Sequence, residues 1–590
     1  MLSDDIQRPW LDSYDPQVPH HLEYETIPLY EYLDRAADRY PQRLALVFQN
    51  LGLRYGQLKE RAETVAANLQ RLGVAKGDRV AIMLPNLPQT VIAYWGVLKA
   101  GAVVVMTNPL YMEKELVHHI TDSESRVMIT LDRLWPKISS LWPKLELSTV
   151  ITTSVADGLR FPLNLLYPIK AWREKTAVSV PHDGQSVLPW KALTSKKARF
   201  EPVPIDPNQD LAVLQYTGGT TGVPKGVMLG HDNMGANVQQ CSSVLHAIGD
   251  EPEVFLGLLP YFHVYGLTVC INFATALAAT VAPYPQFVPQ EVLKAIDKVK
   301  PTIFPSAPAV FNALLQQKNI RDFDLRSIRY CVTGSAPMPV ELSKQFKELT
   351  GAEIIEGFGL TESSPVTHLN PLRGKRKAGS IGLPFPDTDC SIVDKDMGVE
   401  HLPPGQEGEL IIRGPQVMRG YWHRPEETAK TLRNNWLYTG DIASMDEEGY
   451  FFIVDRKKDL IISGGYNIYP REIDEVLYEH PKVADAVCVG VPHKTRGEII
   501  KAYIVPKPGE EVDKKEVITF CRQKLANFKV PKQIEFREEL PKTIVGKVLR
   551  RVLKEEVEEK EDRRQRTEDR RLKAEDRRQK TEDRGPGTES

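Results

Sequence analysis

A short segment rich in glycine and threonine, YTGGTTGVPKG, occupies residues 216–226. In a glycine-rich turn no side chain blocks the backbone amides, so several N–H groups can converge on one anion. Threonine hydroxyls add donors and can ligate Mg²⁺, and Lys225 adds a positive charge. The segment predicts a phosphate-binding loop. It departs from the Walker pattern, because Val223 and Pro224 stand where that motif requires glycine, and a flexible surface turn is the alternative.

The segments around this loop alternate between helical patterns and short apolar strands. LYEYLDRAADRYP has helical spacing, whereas DRVAIMLPN and GAVVVMTNPL are typical of a strand followed by a turn. TIFPSAPAVFNALL, IRYCVTGSAPM and AEIIEGFGLTE continue the same rhythm. Strands separated by helices predict an α/β fold built on parallel βαβ units, with nucleotide-sized crevices at the strand ends.

The last third of the chain has a different pattern. Residues 379–455 are rich in glycine and contain the runs GELIIRG and YFFIV, which predict antiparallel strands. DRKKD, residues 455–459, has the charged character of a linker between domains. After it come a helical pattern (REIDEVLYEHP), two strand patterns (DAVCVGVP and KAYIVP) and a second helical pattern (KEVITFCRQKLANF), which together predict a small α/β unit.

Length and composition restrict the class of protein. A chain of 590 residues is too long for one ordinary core, so we expect at least two domains. The formal net charge of -2 gives no general attraction to nucleic acid or to anionic membranes. Six cysteines occur singly, which argues against a disulfide framework or a zinc site and is typical of a reducing compartment. The amino terminus is acidic and lacks an apolar core, so we expect a cytoplasmic protein.

One apolar stretch leaves two interpretations open. Residues 264–282, VYGLTVCINFATALAATVA, are uncharged over the length that a membrane span needs. The stretch also carries Asn272 and several threonines, lacks basic flanks and ends at prolines. A buried helix in a large α/β core has the same pattern, and we expect that arrangement rather than a membrane span.

The carboxy-terminal residues 554–590 form a charged, repetitive tail. The seven-residue unit EDRRQRT recurs with small changes from Glu561 onward. A heptad favours a coiled coil only where apolar residues form a seam, and Leu572 is the only large apolar side chain in these repeats. We therefore expect a solvated, partly helical tail supported by charge pairs four residues apart.

Seven motifs follow one another in an order that resembles the adenylate-forming enzymes, which include acyl-CoA synthetases, luciferases and nonribosomal adenylation domains. They are YTGGTTGVPKG (216–226), PYFHVYG (260–266), GSAPM (334–338), GFGLTE (357–362), YTGD (438–441), VDRKKDLIISGGYNIYPREI (454–473) and LPKTIVGKVLRR (540–551). The resemblance extends from about Asp12 to Leu553. It implies a large amino-terminal α/β domain for ATP and acid (1–455) and a small mobile α+β domain (456–553), with the tail (554–590) outside the match.

The resemblance also implies a reaction. A carboxylate attacks the α-phosphate of ATP to give acyl-AMP and pyrophosphate, and a thiol then attacks the acyl carbon. Both partners of the first step are anions, so the site needs neutralisation and alignment more than a covalent group. The residues that would bind the nucleotide are Thr217, Gly218, Gly219, Thr220, Thr221, Gly222 and Lys225 at the triphosphate, Gly334, Ser335, Ala336, Glu356, Gly357 and Phe358 at the adenine, Thr361 nearby, and Asp441 with Arg456 at the ribose or phosphate.

Five further positions receive roles from the same resemblance. Glu362 is the expected Mg²⁺ carboxylate with Thr217 or Thr361 assisting, although GLTESSP also resembles a helix-capping site. Lys547 would contact the reacting carboxylate and phosphate, and the alternative is a solvated surface lysine. His263 would lie beside the acyl carbonyl, or it is a buried core histidine. Lys458 is the expected hinge, and Gly464 and Gly465 would line a CoA channel.

The choice of acid is the least determined part of the prediction. GLRFPLNLLYPIKAWREK and MTNPLYMEKEL resemble the long-chain fatty acyl-CoA synthetase branch, and the first of them could also lie against a membrane surface. We therefore expect ATP, CoA and a long-chain fatty acid as substrates, Mg²⁺ as cofactor, no nucleic acid partner and a possible peripheral membrane contact. Medium-chain or aryl acids, a free-standing loader of a carrier protein, a P-loop kinase or ATPase, a noncatalytic scaffold and a luciferase-like oxygenase are the alternatives. The sequence is silent on oligomeric state.

Overall fold

The computed structural model describes residues 6–557 and 559, except 196–197, 218–223, 250, 335–337, 396, 458, 464–465, 494–496 and 544–547. The chain divides into two compact units, Met1–Ile453 (the large unit) and Val454–Ser590 (the small unit). The mixed α/β class with a large amino-terminal and a small carboxy-terminal part is confirmed.

The helices are short and most are amphipathic. They are α1 (Tyr30–Arg39), α2 (Tyr55–Arg71), α3 (Pro88–Lys99), α4 (Glu113–Asp122), α5 (Trp135–Leu145), α6 (Leu163–Arg173), α7 (Lys191–Thr194), α8 (His231–Val244), α9 (Ala274–Ala276), α10 (Pro289–Val299), α11 (Pro308–Leu315), α12 (Val340–Thr350), α13 (Pro425–Thr431), α14 (Pro470–Tyr478) and α15 (Lys514–Lys524). A π-helix occupies Gly266–Phe273, and a 3₁₀ turn relevant to the site occupies Thr361–Ser363.

The strands are mostly four to seven residues long. They are β1 (Leu44–Phe48), β2 (Leu51–Arg54), β3 (Arg79–Met83), β4 (Val103–Met106), β5 (Val127–Leu131), β6 (Thr149–Thr153), β7 (Val187–Pro189), β8 (Leu211–Thr217), β9 (Lys225–Gly230), β10 (Val254–Gly257), β11 (Thr280–Pro283), β12 (Tyr330–Thr333), β13 (Glu353–Gly359), β14 (Val366–Leu369), β15 (Leu383–Pro384), β16 (Asp389–Val393), β17 (Gly408–Arg413), β18 (Leu432–Arg433), β19 (Trp436–Met445), β20 (Phe451–Arg456), β21 (Ile461–Ser463), β22 (Tyr466–Ile468), β23 (Val483–His493), β24 (Gly497–Pro506) and β25 (Gln533–Phe536).

A seven-stranded sheet in the order β7-β6-β5-β3-β4-β8-β9 forms the centre of the large unit. The pairs from β7 to β8 are parallel, and β9 joins β8 in antiparallel orientation. The runs VAIM and VVVM are fully buried, as expected for parallel strands covered on both faces. Helix α3 is buried along its whole length and packs on α2, where a Cβ on Gly96 would lie 2.5 Å from Cγ1 of Val65. The predicted parallel βαβ core is confirmed.

Three smaller sheets complete the large unit. Two of them have four strands each, in the orders β10-β11-β1-β2 and β12-β13-β14-β15. The third has the order β16-β17-β19-β18 with β20 beside β19, and the pairs among β16, β17, β18 and β19 are antiparallel. This confirms the antiparallel strands predicted for 379–455.

The uncharged stretch 264–282 is buried in the large unit. It divides into the π-helix Gly266–Phe273, the short α9 and strand β11, and all eight residues of the π-helix are buried. The expectation of a buried helix is confirmed, with the difference that its main part is a π-helix. Among the described residues, no helix combines the length and the apolar character that crossing a membrane requires.

The small unit has its own core. Its sheet has the order β22-β21-β24-β23, with β25 parallel to β24. Helices α14 and α15 pack together, and α14 also packs on β23. Ile473, Leu477 and Val517 of the two helices join apolar side chains of the strands in one buried cluster. The helices and strands predicted after residue 459 are confirmed.

Candidate active site

The glycine-rich loop connects two paired strands at one edge of the seven-stranded sheet. Strand β8 ends at Thr217, β9 begins at Lys225, and these two residues face each other as the last pair of the antiparallel ladder. Because β8 runs parallel to β4, the loop leaves the sheet at the carboxyl ends of the parallel strands, where α/β proteins bind their ligands. Thr217 and Lys225 are thus positioned at the base of the loop.

Lys225 is held by two side chains of a distant segment. Its ammonium contacts the Glu427 carboxylate and lies 5.1 Å from the centre of the Tyr421 ring. The ion pair lowers the pKa of Glu427. The positive charge at the base of the loop is therefore fixed in place by an acidic and an aromatic side chain.

Tyr421 also contacts the predicted magnesium carboxylate. Its hydroxyl donates to Oε1 of Glu362 at 2.8 Å, and burial together with the Glu362 charge raises the pKa of this tyrosine. The backbone amide of Met418 donates to the Glu362 carbonyl, and the amide of Trp422 donates to the Gly226 carbonyl. Residues 418–422 therefore join β9 to the turn that carries Glu362, and one side chain links Lys225 to Glu362.

The turn with Thr361 and Glu362 packs against both β8 and β9. Glu362 does not cap this turn: the Ser363 hydroxyl accepts from the Leu360 amide, whereas the Glu362 carboxylate accepts from Tyr421. The helix-capping alternative for Glu362 is therefore wrong. Three predicted residues, Thr217, Lys225 and Glu362, belong to elements that pack on one another.

Strands β12 and β13 bring the two predicted adenine segments together. The strands are parallel, with Thr333 paired to Glu356, so Gly334 follows directly beside Gly357. A Cβ on Gly334 would lie 3.5 Å from the Gly357 carbonyl oxygen and 3.7 Å from the Tyr265 ring. A Cβ on Gly357 would lie 2.7 Å from Cδ1 of Leu369, which is too close. Glycine at 357 is therefore required by the approach of β14.

Glu356 and Phe358 flank this position. The Met338 amide donates to Oε1 of Glu356 at 3.2 Å, which ties the segment after β12 to β13. The Phe358 ring packs edge-on against His368 at a centroid distance of 5.9 Å and borders the apolar cluster that contains Phe451. The partly buried ring thus has one side fixed by packing.

His263 lies at the beginning of the π-helix and is only partly buried. Its Nδ1 accepts from the Tyr265 amide at 3.3 Å, so the neutral ring carries its proton on Nε2. The Gln215 side chain donates to the preceding carbonyl, that of Phe262, at 2.8 Å. Strand β8 therefore positions both Thr217 and the loop that carries His263, and the fully buried alternative for His263 is wrong.

Asp441 is buried in β19, next to a bulge. Opposite it, β17 pairs Glu409 with Ile442 and Ile411 with Tyr438, so Thr439, Gly440 and Asp441 all face Leu410. Gly440 has φ of 70°, a left-handed conformation that favours glycine. Bulges of this kind redirect side chains next to active sites. The alternative of a simple turn aspartate is wrong, since the residue lies within a strand.

Arg456 belongs to the small unit, at the end of β20. Its amide donates to Oδ1 of Asp455 at 2.7 Å, and the Arg471 amide donates to the other oxygen at 2.8 Å. The remaining predicted positions lie outside the described residues and stay predictions: Gly218, Gly219, Thr220, Thr221, Gly222, Ser335, Ala336, Lys458, Gly464, Gly465 and Lys547.

The donor set is suited to a metal ion that is held mainly by phosphates. In the part of the chain that the structure describes, no group of three or more His, Cys, Asp or Glu side chains could hold a metal ion. Glu362 supplies one carboxylate, and Thr217 and Thr361 on neighbouring elements supply hydroxyls. Mg²⁺ typically takes one or two protein carboxylates together with substrate phosphates and water, so these residues fit Mg²⁺ with ATP.

A small apolar cavity lies behind the glycine pair. Its walls include Val269 and Phe273 of the π-helix, Val332 of β12, and Val366 and Leu369 of β14. The Tyr265 hydroxyl donates to the Val332 carbonyl at 2.9 Å, so the cavity begins where Tyr265 and Gly334 meet. It holds about 20 Å³, roughly one water, and its lining is apolar.

Fold and site together define a class. Residues 33–422 match the AMP-binding enzyme family, and residues 472–547 match the AMP-binding enzyme C-terminal domain. The chain therefore belongs to the AMP-binding enzyme family. It is 48% identical to the long-chain-fatty-acid–CoA ligase of Bacillus subtilis (strain 168), over 93% of this chain and 98% of that protein.

Two solved structures have the same fold over most of the chain. ATP-bound MatB from Rhodopseudomonas palustris has a TM-score of 0.78 at 29% identity and covers 90% of this chain and 98% of its own. The anthranilate CoA ligase AuaEII in complex with anthranoyl-AMP has a TM-score of 0.78 at 27% identity, with 91% and 98% covered.

Several residues of the site were not predicted from the sequence. Tyr421 and Glu427 fall in RGYWHRPEETAKT, which has no glycine-rich or charged pattern that distinguishes it from an ordinary surface turn and helix. Tyr265 is part of the PYFHVYG motif, but its position beside Gly334 follows only from the packing of the π-helix on β12. The only sequence signal for Tyr421 is the aromatic pair that follows Gly420.

Proposed function

We propose that this chain is an AMP-forming long-chain fatty acid–CoA ligase. It activates the acid with ATP, releases pyrophosphate and transfers the acyl group to CoA. The observation that carries the proposal is the 48% identity to a long-chain-fatty-acid–CoA ligase across almost the whole chain, combined with a site in which Lys225, Tyr421 and Glu362 form one connected group.

The first half-reaction joins two anions. A carboxylate oxygen attacks the α-phosphorus, a new P–O bond forms, and the bond to pyrophosphate breaks. We assign the neutralisation of the triphosphate to the amides and hydroxyls of 217–222 and to Lys225, with Lys547 acting at the reacting carboxylate and phosphate. Mg²⁺, when bound through Glu362 with Thr217 or Thr361, neutralises phosphate charge.

The nucleoside is bound by the remaining residues. Asp441, re-aimed by its bulge, accepts from the ribose hydroxyls, and Arg456 supports the ribose or a phosphate. The adenine lies between the two glycine segments, where small residues leave space for the ring and Phe358 stacks. The residues assigned to it are Gly334, Ser335, Ala336, Glu356, Gly357 and Phe358. His263 orients the acyl carboxylate.

The second half-reaction uses the small unit. The CoA thiol loses its proton and attacks the acyl carbon, and AMP leaves. We assign Gly464 and Gly465 to the pantetheine channel and Lys458 to the hinge between domains 1–455 and 456–553. Lys458→Pro is expected to slow thioester formation more than adenylate formation. Equal rates of thioester formation in the variant and the wild-type protein would contradict the hinge assignment.

The apolar cavity favours an aliphatic acid. A chain that enters between Tyr265 and Gly334 meets only apolar side chains, but about 20 Å³ is too small for it, so the π-helix or its side chains must move. We propose that Val269 limits the chain length. Val269→Phe is expected to reduce activation of palmitate at least about tenfold and to leave octanoate nearly unchanged, because the added ring fills the far part of the cavity.

A chain-length series tests the proposed function. Pyrophosphate release is measured with ATP, Mg²⁺ and saturated acids from C6 to C18, and with benzoate, anthranilate and coumarate. A maximum at C14 to C18 supports the proposal. A maximum with an aryl or medium-chain acid would replace it by the corresponding ligase, and acyl transfer to a carrier protein in preference to CoA would replace it by a free-standing loader.

A further inference from the structure

Helix α6 presents an unusual number of large apolar side chains to solvent. Phe161, just before the helix, is 76% exposed, Trp172 is 74% exposed and Leu165 is 62% exposed. Leu166 and Ile169 are more than half exposed as well. Single exposed apolar residues are common on soluble proteins, but five within twelve residues form a patch that marks an interaction surface. We call these five residues the apolar face of α6.

The apolar face follows the helical repeat. Leu165, Ile169 and Trp172 are spaced at i, i+4 and i+7 and so lie along one side of the helix, with Leu166 next to Ile169. The opposite side attaches the helix to the large unit: Ala171 is its one buried residue, and the Arg133 guanidinium donates to the Tyr167 hydroxyl. The helix therefore lies along the surface with its apolar face turned outward.

Basic residues border the apolar face. Arg160, Lys170, Arg173 and Lys175 accompany it, against a single acidic residue, Glu174. Lys170 lies 3.8 Å from Glu174, with two-thirds of its side chain exposed, so this ion pair is weak and screened. The segment is locally cationic although the whole chain has a net charge of -2.

We propose that α6 and Phe161 dock on the surface of an anionic phospholipid bilayer, with the apolar face inserted at the boundary between headgroups and acyl chains. Basic residues beside an apolar face with tryptophan and tyrosine are the pattern of interfacial helices, and the cationic border complements anionic headgroups. Eleven residues give a helix of roughly 16 Å at 1.5 Å per residue, enough to lie in the interface and too short to cross it.

The docking surface has a consequence for the proposed function, on which this paragraph alone rests. Long-chain acids partition into bilayers, so a ligase docked through α6 draws its substrate from the membrane rather than from solution. Anionic vesicles that contain palmitate are then expected to lower the apparent KM for the acid in the wild-type protein. A failure of this effect with intact binding would leave docking in place and would concern only substrate delivery.

Co-sedimentation of the full-length protein with vesicles tests the docking. Vesicles of phosphatidylcholine alone are compared with vesicles that contain 30% phosphatidylglycerol on the order of physiological salt. The variant Leu165→Gln/Ile169→Gln/Trp172→Gln is expected to lose at least about tenfold in partition coefficient on the anionic vesicles. These three side chains are exposed, so the variant is expected to fold. The matched control is Met397→Gln/Val399→Gln, which changes two exposed apolar residues elsewhere in the large unit and is expected to bind like the wild-type protein.

A second pair of variants tests the charge. Lys170→Gln/Arg173→Gln is expected to weaken binding to anionic vesicles several-fold and to reduce its salt dependence, whereas Lys294→Gln/Lys298→Gln on α10 is the matched control and is expected to have no effect. Undiminished binding by the triple variant would overturn the proposal, as would binding that is lost when residues 560–590 are removed. Self-association without lipid that the triple variant abolishes would instead assign the face to a second copy of the chain.

Discussion

The hydrogen bond from Tyr421 to Glu362 offers the sharpest test of the site. Tyr421→Phe removes only the hydroxyl, which donates to Oε1 of Glu362 at 2.8 Å, and it keeps the ring under Lys225. A hydrogen bond to a charged group contributes about 1.5–3 kcal/mol when buried, and less here because Glu362 is partly exposed. We take about 1 to 2 kcal/mol, which corresponds to a five- to thirty-fold change at 1.36 kcal/mol per decade.

The assay is pyrophosphate release with palmitate at varied Mg²⁺ concentration. If Tyr421 positions the magnesium carboxylate, Tyr421→Phe is expected to lower kcat/KM for ATP about five- to thirty-fold and to raise the Mg²⁺ concentration needed for half-maximal rate. Tyr438→Phe is the matched control, since its hydroxyl donates to the Gly398 carbonyl in the antiparallel sheet. Unchanged Mg²⁺ dependence in Tyr421→Phe would refute the positioning role, even if the rate fell.

Three further predictions concern other parts of the molecule. Lys547→Ala is expected to abolish adenylate formation and to leave thioester formation from supplied acyl-AMP mostly intact, measured as two separate half-reactions. Gly357→Ala is expected to destabilise the large unit by about 1–3 kcal/mol in urea unfolding, because its Cβ would overlap Leu369. Burial lowers the pKa of His119 to about 3, so its stabilising contribution, complete above pH 6.5, is expected to fall by about 1.4 kcal/mol per pH unit as the pH decreases below that value.

Each of these has an outcome that would contradict it. Equal loss of both half-reactions in Lys547→Ala would remove its assignment to the first step. Gly235→Ala is the control for Gly357→Ala, since its nearest neighbour would lie 3.9 Å away, and equal effects would show that the approach of β14 is not the cause. His119→Gln is expected to reduce the acid slope of the unfolding free energy by about one proton, and an unchanged slope would contradict the buried neutral histidine.

The elements around the site were predictable where one local signal dominates. VAIM and VVVM are short apolar runs that end in turns, and they form parallel strands because nothing in them competes with burial. The stretch 264–282 was less informative. When nearly every residue is apolar, periodicity cannot distinguish an α-helix from a π-helix, and the choice depends on how the helix packs.

The contacts that complete the site depend on tertiary structure. Tyr421 is 59 residues from Glu362, and Glu427 is 202 residues from Lys225, so no local pattern joins them. The bulge at Asp441 is likewise a property of two paired strands, because it arises from the register between β17 and β19. Motif order indicated which residues belong to the site, and the pairing of strands determined which of them touch.

Oxygen transfer tests the central claim most directly. Palmitate labelled with ¹⁸O in both carboxyl oxygens is incubated with the protein, ATP, Mg²⁺ and CoA, and the products are analysed by mass spectrometry. Attack of the carboxylate on the α-phosphorus predicts one ¹⁸O atom in each AMP formed and none in pyrophosphate. Label in inorganic phosphate with ADP as the nucleotide product, or AMP without label, would contradict activation through acyl-AMP.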